Sequence, residues 1–422
     1  MLDLKFIREN PEVVAAGLAA KNVTLDLNLL LSLDVERRSI LKEAEELKAR
    51  RNSANDEISR LKKQGQVADG VISEMKAISQ KIAAFDDKVG EVSEKIESML
   101  LYFPNMAVND VPVSKGAEGN KVVRSWGEPR KFEYKIRDHL DLATDLGWLS
   151  METGSKITGA GFPVFFGTGA KLQRALISLM LDMHTQKHGY LEVWPPSIVN
   201  RASMRGTGQL PKMEGDMYRL GEDEQGAGDL FLIPTAEVPV TNCLRDTTVE
   251  EKDLPVKYTA YTPCFRKEAG SYGKDTRGLS RVHQFDKVEM VKFVKPEGSA
   301  QELEALVRDA EDVLQALELP YRVVLLGSGD MSFAAAKCYD LEVWAPAAQK
   351  WFEVSSCSLF TDFQARRMNI RYRNSQTKKL EYVHTLNGSG LALARIVLCL
   401  LENFQDETGK VVFPKALQPY LA

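Results

Sequence analysis

The chain has 422 residues, 55 of them basic and 59 acidic, for a formal net charge of -4. That length predicts two or three domains of roughly 150 residues and a core large enough to need no disulfide staples. The charge balance argues against a globally basic nucleic-acid binder but leaves room for a local basic strip. The five cysteines (Cys243, Cys264, Cys338, Cys357 and Cys399) form no Cys-x-x-Cys pair. Neither a disulfide framework nor a zinc site is therefore expected, and reduced thiols in a cytoplasmic protein are the simple reading. The first ten residues carry charges where a signal peptide needs an apolar run, and the greasiest window, Leu391 to Leu401, is interrupted by Arg395. It is also too short to span a bilayer, so no membrane role is expected.

The segment before Pro104 is rich in Glu, Lys, Leu and Ala, with Pro11 its only proline. Leu33, Ile40, Leu47, Ala54 and Leu61 recur every seven residues, with Ala44 and Ile58 partly filling the alternate seam. A second stripe runs through Met75, Ile78, Ile82, Phe85, Val89, Val92, Ile96, Met99 and Phe103 in steps of three or four. Such spacing keeps one narrow apolar face along a long helix. Gly65-Gln66-Val67-Ala68-Asp69-Gly70 reads as a turn between them, so the two helices pair antiparallel. About thirty residues per helix predict an arm of about 45 Å over 33–103. A dimerisation coiled coil or a packed helical hairpin fits this composition. A ligand-binding rod fits too, because Arg37, Arg38, Lys42, Lys48, Arg50, Arg51, Arg60, Lys62 and Lys63 give the first helix a basic strip. A phosphate backbone suits such a strip.

Beyond Pro104, a connecting stretch holding Pro112, Gly116, Gly119, Gly127 and Pro129 leads into a mixed body. Lys171 to His188 has a helical pattern and runs into Tyr190-Leu191-Glu192-Val193-Trp194-Pro195-Pro196. Tyr258 to Glu268 reads as a strand, which places Thr262, Cys264, Arg266 and Glu268 on one face. A polar loop with Gly270, Gly273, Lys274, Arg277 and Gly278 follows, then a strand from Ser280 to Phe293 with Arg281, Phe285 and Glu289 on a common face. Joined as a hairpin, the strands bring an arginine, two carboxylates and an aromatic ring to one surface. A nucleotide and an amino acid need that set: a fork of donors for a phosphoryl oxygen and a carboxylate, a ring to stack on a base, and an acceptor for an ammonium or hydroxyl. Ordinary cross-strand ion pairs account for any one pair of these residues taken singly.

Glu353-Val354-Ser355-Ser356-Cys357-Ser358 is by itself a serine-rich strand with one acid. In the last patch, Gly388, Ser389 and Gly390 let backbone approach a ligand closely, and an apolar helix after them holds Arg395 among Leu391, Ala392, Leu398 and Cys399. A desolvated charge there needs an anion, either a protein carboxylate or a bound phosphate. Strands and helices out of strict alternation predict an α+β body on an antiparallel sheet. The five histidines show no metal-ligand spacing. His283 is expected to face away from the active surface, and His384 to be a structural hydrogen-bonder.

Phe265-Arg266-Lys267-Glu268 with Arg281-Val282-His283-Gln284-Phe285 resembles motif 2 of the class II aminoacyl-tRNA synthetases. Ala269-Gly270-Ser271 and Asp275-Thr276-Arg277-Gly278-Leu279 are similar to the seryl members in particular. His384-Thr385-Leu386-Asn387-Gly388-Ser389-Gly390 resembles the seryl form of motif 3, with Arg395 as its arginine. Thr235-Ala236-Glu237 looks like the seryl family's serine-binding segment, and Glu353 to Ser358 like its metal-binding strand. Lys171 to Pro196 resembles motif 1, which marks the dimer interface.

The resemblance covers nearly the whole chain. It implies a tRNA-binding domain over 1–104 carrying the coiled-coil arm, then a class II catalytic domain over 105–422 built on an antiparallel sheet flanked by helices. The implied activity is ATP-dependent conversion of L-serine to seryl-adenylate and transfer to tRNA(Ser), with tRNA(Sec) a further substrate. By the same likeness Arg266 contacts the α-phosphate and the serine carboxylate, Glu268 reads the adenine amino group, and Phe285 stacks on adenine beside Val282. Arg395 clamps the γ-phosphate, while Lys274 and Arg277 handle phosphates and the tRNA acceptor end. Arg266, Arg395 and Glu353 are the implied catalytic set. Thr235, Glu237, Arg266, Glu289, Asn387 and Ser389 are the implied serine contacts, with Glu289 the acceptor that tells serine from alanine. Glu353, Val354, Ser355 and Ser356 line the ATP, and Glu353 with Ser356 hold Mg2+; no zinc is expected. Strict alternation pairs Glu353 with Ser355, so assignment of the ion to Ser356 requires a bulge. A cytoplasmic homodimer is the implied assembly.

Overall fold

A computed structural model of the chain describes residues 1–66, 69–222, 228–269 and 277–422. Two compact units emerge, one of Leu2–Leu18 with Val23–Phe103 and one of Met1, Ala19–Asn22 and Pro104–Ala422.

In the first unit, helices α1 (Leu4–Glu9) and α2 (Pro11–Ala20) precede two long helices, α3 (Leu27–Lys63) and α4 (Asp69–Leu100). Asp3 and Asp26 cap α1 and α3 by accepting from the first free backbone amides. At 37 residues, α3 is about 55 Å long, more than the arm read from the seam alone. Every residue of both apolar stripes is buried or half-buried where α3 packs on α4. The predicted turn is shorter than expected: Gly65 adopts φ +70 at the end of α3, while Gly70 already lies in the first turn of α4. Val67 and Ala68 of that turn lie outside the described residues. Asp34 is fully buried beneath Arg8 at 3.0 Å, Arg38 at 3.1 Å and Arg37 at 3.6 Å. Part of the basic strip is thus turned inward, and Lys48 and Arg50 pair with Asp86 and Glu74. Lys42, Arg60, Lys62 and Lys63 remain exposed.

The second unit is built on an eight-stranded sheet. Its strands are β1 (Lys121–Trp126), β2 (Leu191–Glu192), β3 (Val256–Phe265), β4 (Gln284–Val294), β5 (Tyr321–Leu325), β6 (Lys337–Ala345), β7 (Lys350–Leu359) and β8 (His384–Ala392). They lie in the order β1-β5-β6-β7-β8-β4-β3-β2, antiparallel except for β2 on β3. Helices α5 (Thr168–Asp182), α6 (Ser299–Ala316) and α7 (Leu393–Asn403) cover it, burying Leu176, Leu306, Val313, Leu398 and Leu400 completely. Each such side chain contributes about 1.5–3 kcal/mol. The α+β architecture is as the sequence predicts. Among the described residues no helix is long and apolar enough to cross a membrane.

Three boundaries differ from the sequence reading, and the first two re-aim site residues. The β3–β4 ladder runs only from Phe265↔Gln284 inward, so Arg266, Glu268 and Arg281 stand beyond its end rather than within strands. Glu268 takes φ 51 there, which breaks the alternation. Leu391 and Ala392 belong to β8, so Arg395 sits in the first turn of α7 instead of its interior. The predicted motif 1 helix ends as α at Asp182 and continues through a π-helical turn, Met183–Lys187.

Candidate active site

The segment after β3, together with β4, β7, β8 and the start of α7, converges on a cavity of about 680 Å³. Arg266, Glu268, Val282, Phe285, Thr235, Glu237, Glu353, Val354, Ser355, Ser356, Asn387, Ser389 and Arg395 all line it. Among the predicted serine contacts, Glu289 does not line it; it lies fully buried behind the wall. Arg277 is exposed and pairs with Asp138 and Asp141 at 3.0 and 2.6 Å, and Lys274 lies outside the described residues.

At one end of the cavity, the Arg266 Nε donates to Pro234 O at 3.2 Å, and its guanidinium lies 5.2 Å from the centre of the Phe285 ring. That leaves the fork as a flat cation beside an aromatic face, a geometry suited to a phosphoryl or carboxylate oxygen next to a stacked base. Glu268 receives Arg281 at 3.0 Å at the mouth. Arg395 donates through Nε to Ser280 O at 3.1 Å and through Nη1 to Glu353 O at 2.7 Å. Its nearest carboxylate oxygen, on Glu353, is 3.5 Å away, so the charge of Arg395 is held in place mainly by neutral carbonyls. Arg395 is thus loosely ion-paired with Glu353, Arg266 makes no ion pair among the described residues, and both face one cavity.

On β7, Leu341 pairs with Ser355 but the next partners are Glu342 and Glu353, so Val354 is an extra residue. This is the bulge that the three-residue spacing requires. Glu353 is exposed, Ser356 half-exposed, and Val354 and Ser355 are buried between them. The Ser355 hydroxyl is spent on Ser389 O at 2.6 Å. Ser356 meets the Cys338 Sγ at 3.2 Å and pairs across the ladder with Asp340. Burial, followed by the charge of Glu353, holds the Asp340 carboxyl well above its ordinary range. This excess of acid on one sheet face is an environment a cation relieves.

The far end is a polar pocket. Thr235 Oγ1 donates to Glu289 Oε2 at 3.1 Å, and Asn387 Nδ2 reaches Glu289 Oε1 at 2.9 Å and Glu237 Oε2 at 3.2 Å. Lys287, two residues before Glu289 on β4 and so on the same face, is buried and ion-paired with it; its Nζ also donates to Thr235 at 2.8 Å. Sequence reading missed this lysine, although a charge next to the apolar run of β4 was the signal to follow. Lys287 matches Glu289, which leaves Glu237 as the carboxylate that an amino acid's α-ammonium would meet.

Burial and the adjacent Glu289 push the Glu237 acid up to about 7 from 4.5. Between those values the folded protein holds a proton that the unfolded chain releases, so stability falls as pH rises through the window. Glu237→Gln is therefore expected to stabilise the protein above about pH 7, by on the order of 3 kcal/mol, and to leave it unchanged below about pH 4.5. Thermal melts of both proteins across that range check this; an equal gain at every pH would mean the carboxyl carries no such penalty.

Two histidines behave as expected. His283 turns its Nδ1 to Arg266 O at 3.0 Å, packing on Phe162, and His384 meets Ser299 Oγ at 3.0 Å away from the cavity.

An antiparallel sheet presenting two arginines, one from a strand end and one from a following helix, across a single cavity defines the core of a class II aminoacyl-tRNA synthetase. Residues 218–404 match the family model of the tRNA synthetase class II core domain (G, H, P, S and T), and residues 1–107 match that of the seryl-tRNA synthetase N-terminal domain. The serine–tRNA ligase of Pelobacter propionicus is 52% identical, over 100% of this chain and 98% of that one. Seryl-tRNA synthetase from Pyrococcus horikoshii, solved with ATP, superposes at TM-score 0.92 with 38% identity, covering 100% of this chain and 98% of its own. The fold is shared more distantly with M. kandleri seryl-tRNA synthetase, solved with A. aeolicus tRNA(Sec), at TM-score 0.60 and 19% identity over 83% of this chain and 68% of that one. The chain belongs to the seryl-tRNA synthetase family. Its activity is accordingly the attachment of serine to tRNA.

Proposed function

We propose that the cavity carries out both half-reactions, adenylation of L-serine by ATP and transfer of the seryl group to tRNA(Ser), with tRNA(Sec) served by the same site. The observation that carries this reading is the placement of Arg266 and Arg395 on one cavity whose far end is a polar pocket holding Glu237, Thr235 and Asn387. The serine carboxylate is already ionised and needs no general base to attack the α-phosphorus. Catalysis then consists of positioning and charge neutralisation. Arg266 holds the serine carboxylate and the α-phosphate together, Arg395 restrains the γ-phosphate, Phe285 stacks on adenine and Glu268 accepts from its amino group. Thr235 and Glu237 take the ammonium, while Asn387, Ser389 and the acceptor Glu289 behind them receive the side-chain hydroxyl. Alanine has no hydroxyl to offer this polar end of the pocket, which gives discrimination.

Mg2+ enters as part of the nucleotide substrate. Glu353 and Ser356, brought to one face by the bulge at Val354, are the residues that would hold it, and the ion would neutralise phosphate charge there. Among the described residues no three His, Cys, Asp or Glu side chains cluster around a common point, so phosphate oxygens and water would complete its shell.

On this reading 1–104 is the tRNA-binding domain and 105–422 the catalytic domain. The exposed cations of α3 would grip the long variable arm of tRNA(Ser) by shape and backbone charge. Exposed Leu191, Trp194 and Ile198, at and beyond the free β2 edge of the sheet, suit a homodimer interface formed by motif 1. Five free cysteines suit the cytoplasm.

The test is ATP–pyrophosphate exchange with each amino acid, with and without tRNA. Serine alone should support exchange, and it should do so without tRNA. Exchange with alanine at a comparable rate would sink the pocket assignment.

A further inference from the structure

The short helix Phe363–Met368 contributes one side chain to the back of the pocket. Gln364 has no exposed surface, and all of its hydrogen-bonding groups used in the fold are matched. Its Nε2 donates to Glu237 Oε1 at 2.6 Å and to Thr207 O at 3.1 Å. Its Oε1 accepts from the Thr385 hydroxyl at 2.7 Å. Turning the amide over would set its oxygen against two acceptors, the carboxylate and the carbonyl. The three contacts therefore allow one orientation, with the donor aimed at Glu237 before any ligand arrives.

We propose that Gln364 is a positioning residue for serine recognition: held by Thr385, it fixes Glu237 as a charged acceptor whose second oxygen faces the pocket and the incoming ammonium. Thr385 lies two residues before Asn387 on β8, so one strand supplies both a direct neighbour of the ligand site and the hydroxyl that locks its support. Burial and Glu289 favour the neutral form of Glu237; the bond from Gln364 at 2.6 Å is the largest influence opposing them, ahead of Lys287 and Arg266, so losing it would favour the protonated acid. A pocket meant for an ammonium would then be filled with a proton. The inference rests on the reading of Glu237 as the ammonium partner.

Gln364→Met keeps the length and apolar volume of the side chain and removes both polar groups. In serine-dependent ATP–pyrophosphate exchange, it should raise the KM for serine about tenfold, the effect of losing one hydrogen bond to a charged group, while the KM for ATP moves less than about twofold. The acid limb of kcat/KM for serine, near pH 7 in the parent, should move to higher pH. Thr385→Val should shift both quantities the same way by less, and Thr385→Ser should restore the parent values. A serine KM and acid limb left where they were, in either Gln364→Met or Thr385→Val, overturns the proposal, as does a parallel rise in both substrates' KM. If Gln364→Met does not fold, the Thr385 pair decides alone. Glu237→Gln, assayed alongside, separates the two layers. A normal serine KM in that variant removes Glu237 from ammonium binding. A raised KM there with no change in the Gln364 and Thr385 variants removes only the relay.

Discussion

Arg266→Ala is expected to lose roughly a thousandfold or more of serine-dependent ATP–pyrophosphate exchange while melting within a few degrees of the parent. The separation of the two effects follows from what the side chain touches. Its contacts within the protein are one bond to Pro234 O at 3.2 Å and a face contact with Phe285 at 5.2 Å, together worth about 1–2 kcal/mol. The stabilisation asked of it in the reaction is larger. A thousandfold in rate is about 4 kcal/mol, and the proposed role places it on both reacting partners, the carboxylate that attacks and the phosphorus that is attacked. Lysine at this position supplies the charge without the planar fork, so Arg266→Lys should recover only a small part. The check is the exchange rate at saturating ATP and serine, together with a melting curve. An Arg266→Ala protein that exchanges normally would take this residue out of the chemistry, and with it the assignment of the motif 2 hairpin as the catalytic surface.

Removing 45–81 and closing α3 onto α4 with a short glycine turn should leave exchange within about twofold of the parent and lower tRNA charging by on the order of a hundredfold or more. The cut keeps the base of the arm intact. The cluster of Arg8, Arg37 and Arg38 around buried Asp34 stays, as do the Lys88–Glu36 pair at 3.2 Å and the packing of Ile40 and Ala44 with Ile82 and Val92. It removes the distal cations Arg60, Lys62 and Lys63, which are exposed or half-exposed and stand near the turn. Because that contribution is electrostatic, charging by the parent should weaken steeply with added salt, and charging by the shortened protein should depend on salt much less. A shortened protein that charges tRNA at the parental rate would show that the arm serves some other purpose. Loss of exchange as well would show that the cut had damaged the catalytic unit.

Much of the fold was legible because two periodicities are hard to disguise. The stripe from Leu33 to Leu61 lies in α3 and that from Met75 to Met99 in α4, with Phe103 just past its end; each stripe residue is at least half-buried. The hairpin of β3 and β4 was visible from its alternation, although its ladder is shorter than the polar residues suggested. Arg266, Glu268 and Arg281 lie where pairing has stopped, and their convergence depends on loop geometry that no period describes. The residues that sequence reading missed are support rather than surface. Lys287 and Gln364 are buried polar groups whose meaning is their partners, and those partners are 52 and 127 positions away in the chain, at Thr235 and Glu237. Glu289, expected as the acceptor for the serine hydroxyl, lies one layer deeper than the cavity wall. Asp34 was hidden by the strip of arginines that surrounds it.

The extra residue at Val354 has a consequence for how this strand can vary. Glu353 and Ser356 look the same way only because one position between them is uncounted by the pleat. Losing or gaining a single codon anywhere from 353 to 356 would rotate the acid and the hydroxyl onto opposite sides of the sheet, even with every amino acid type preserved. The strand is thus intolerant of a change in length even where its residue types are kept, so that the count of positions has to be protected there along with the chemistry.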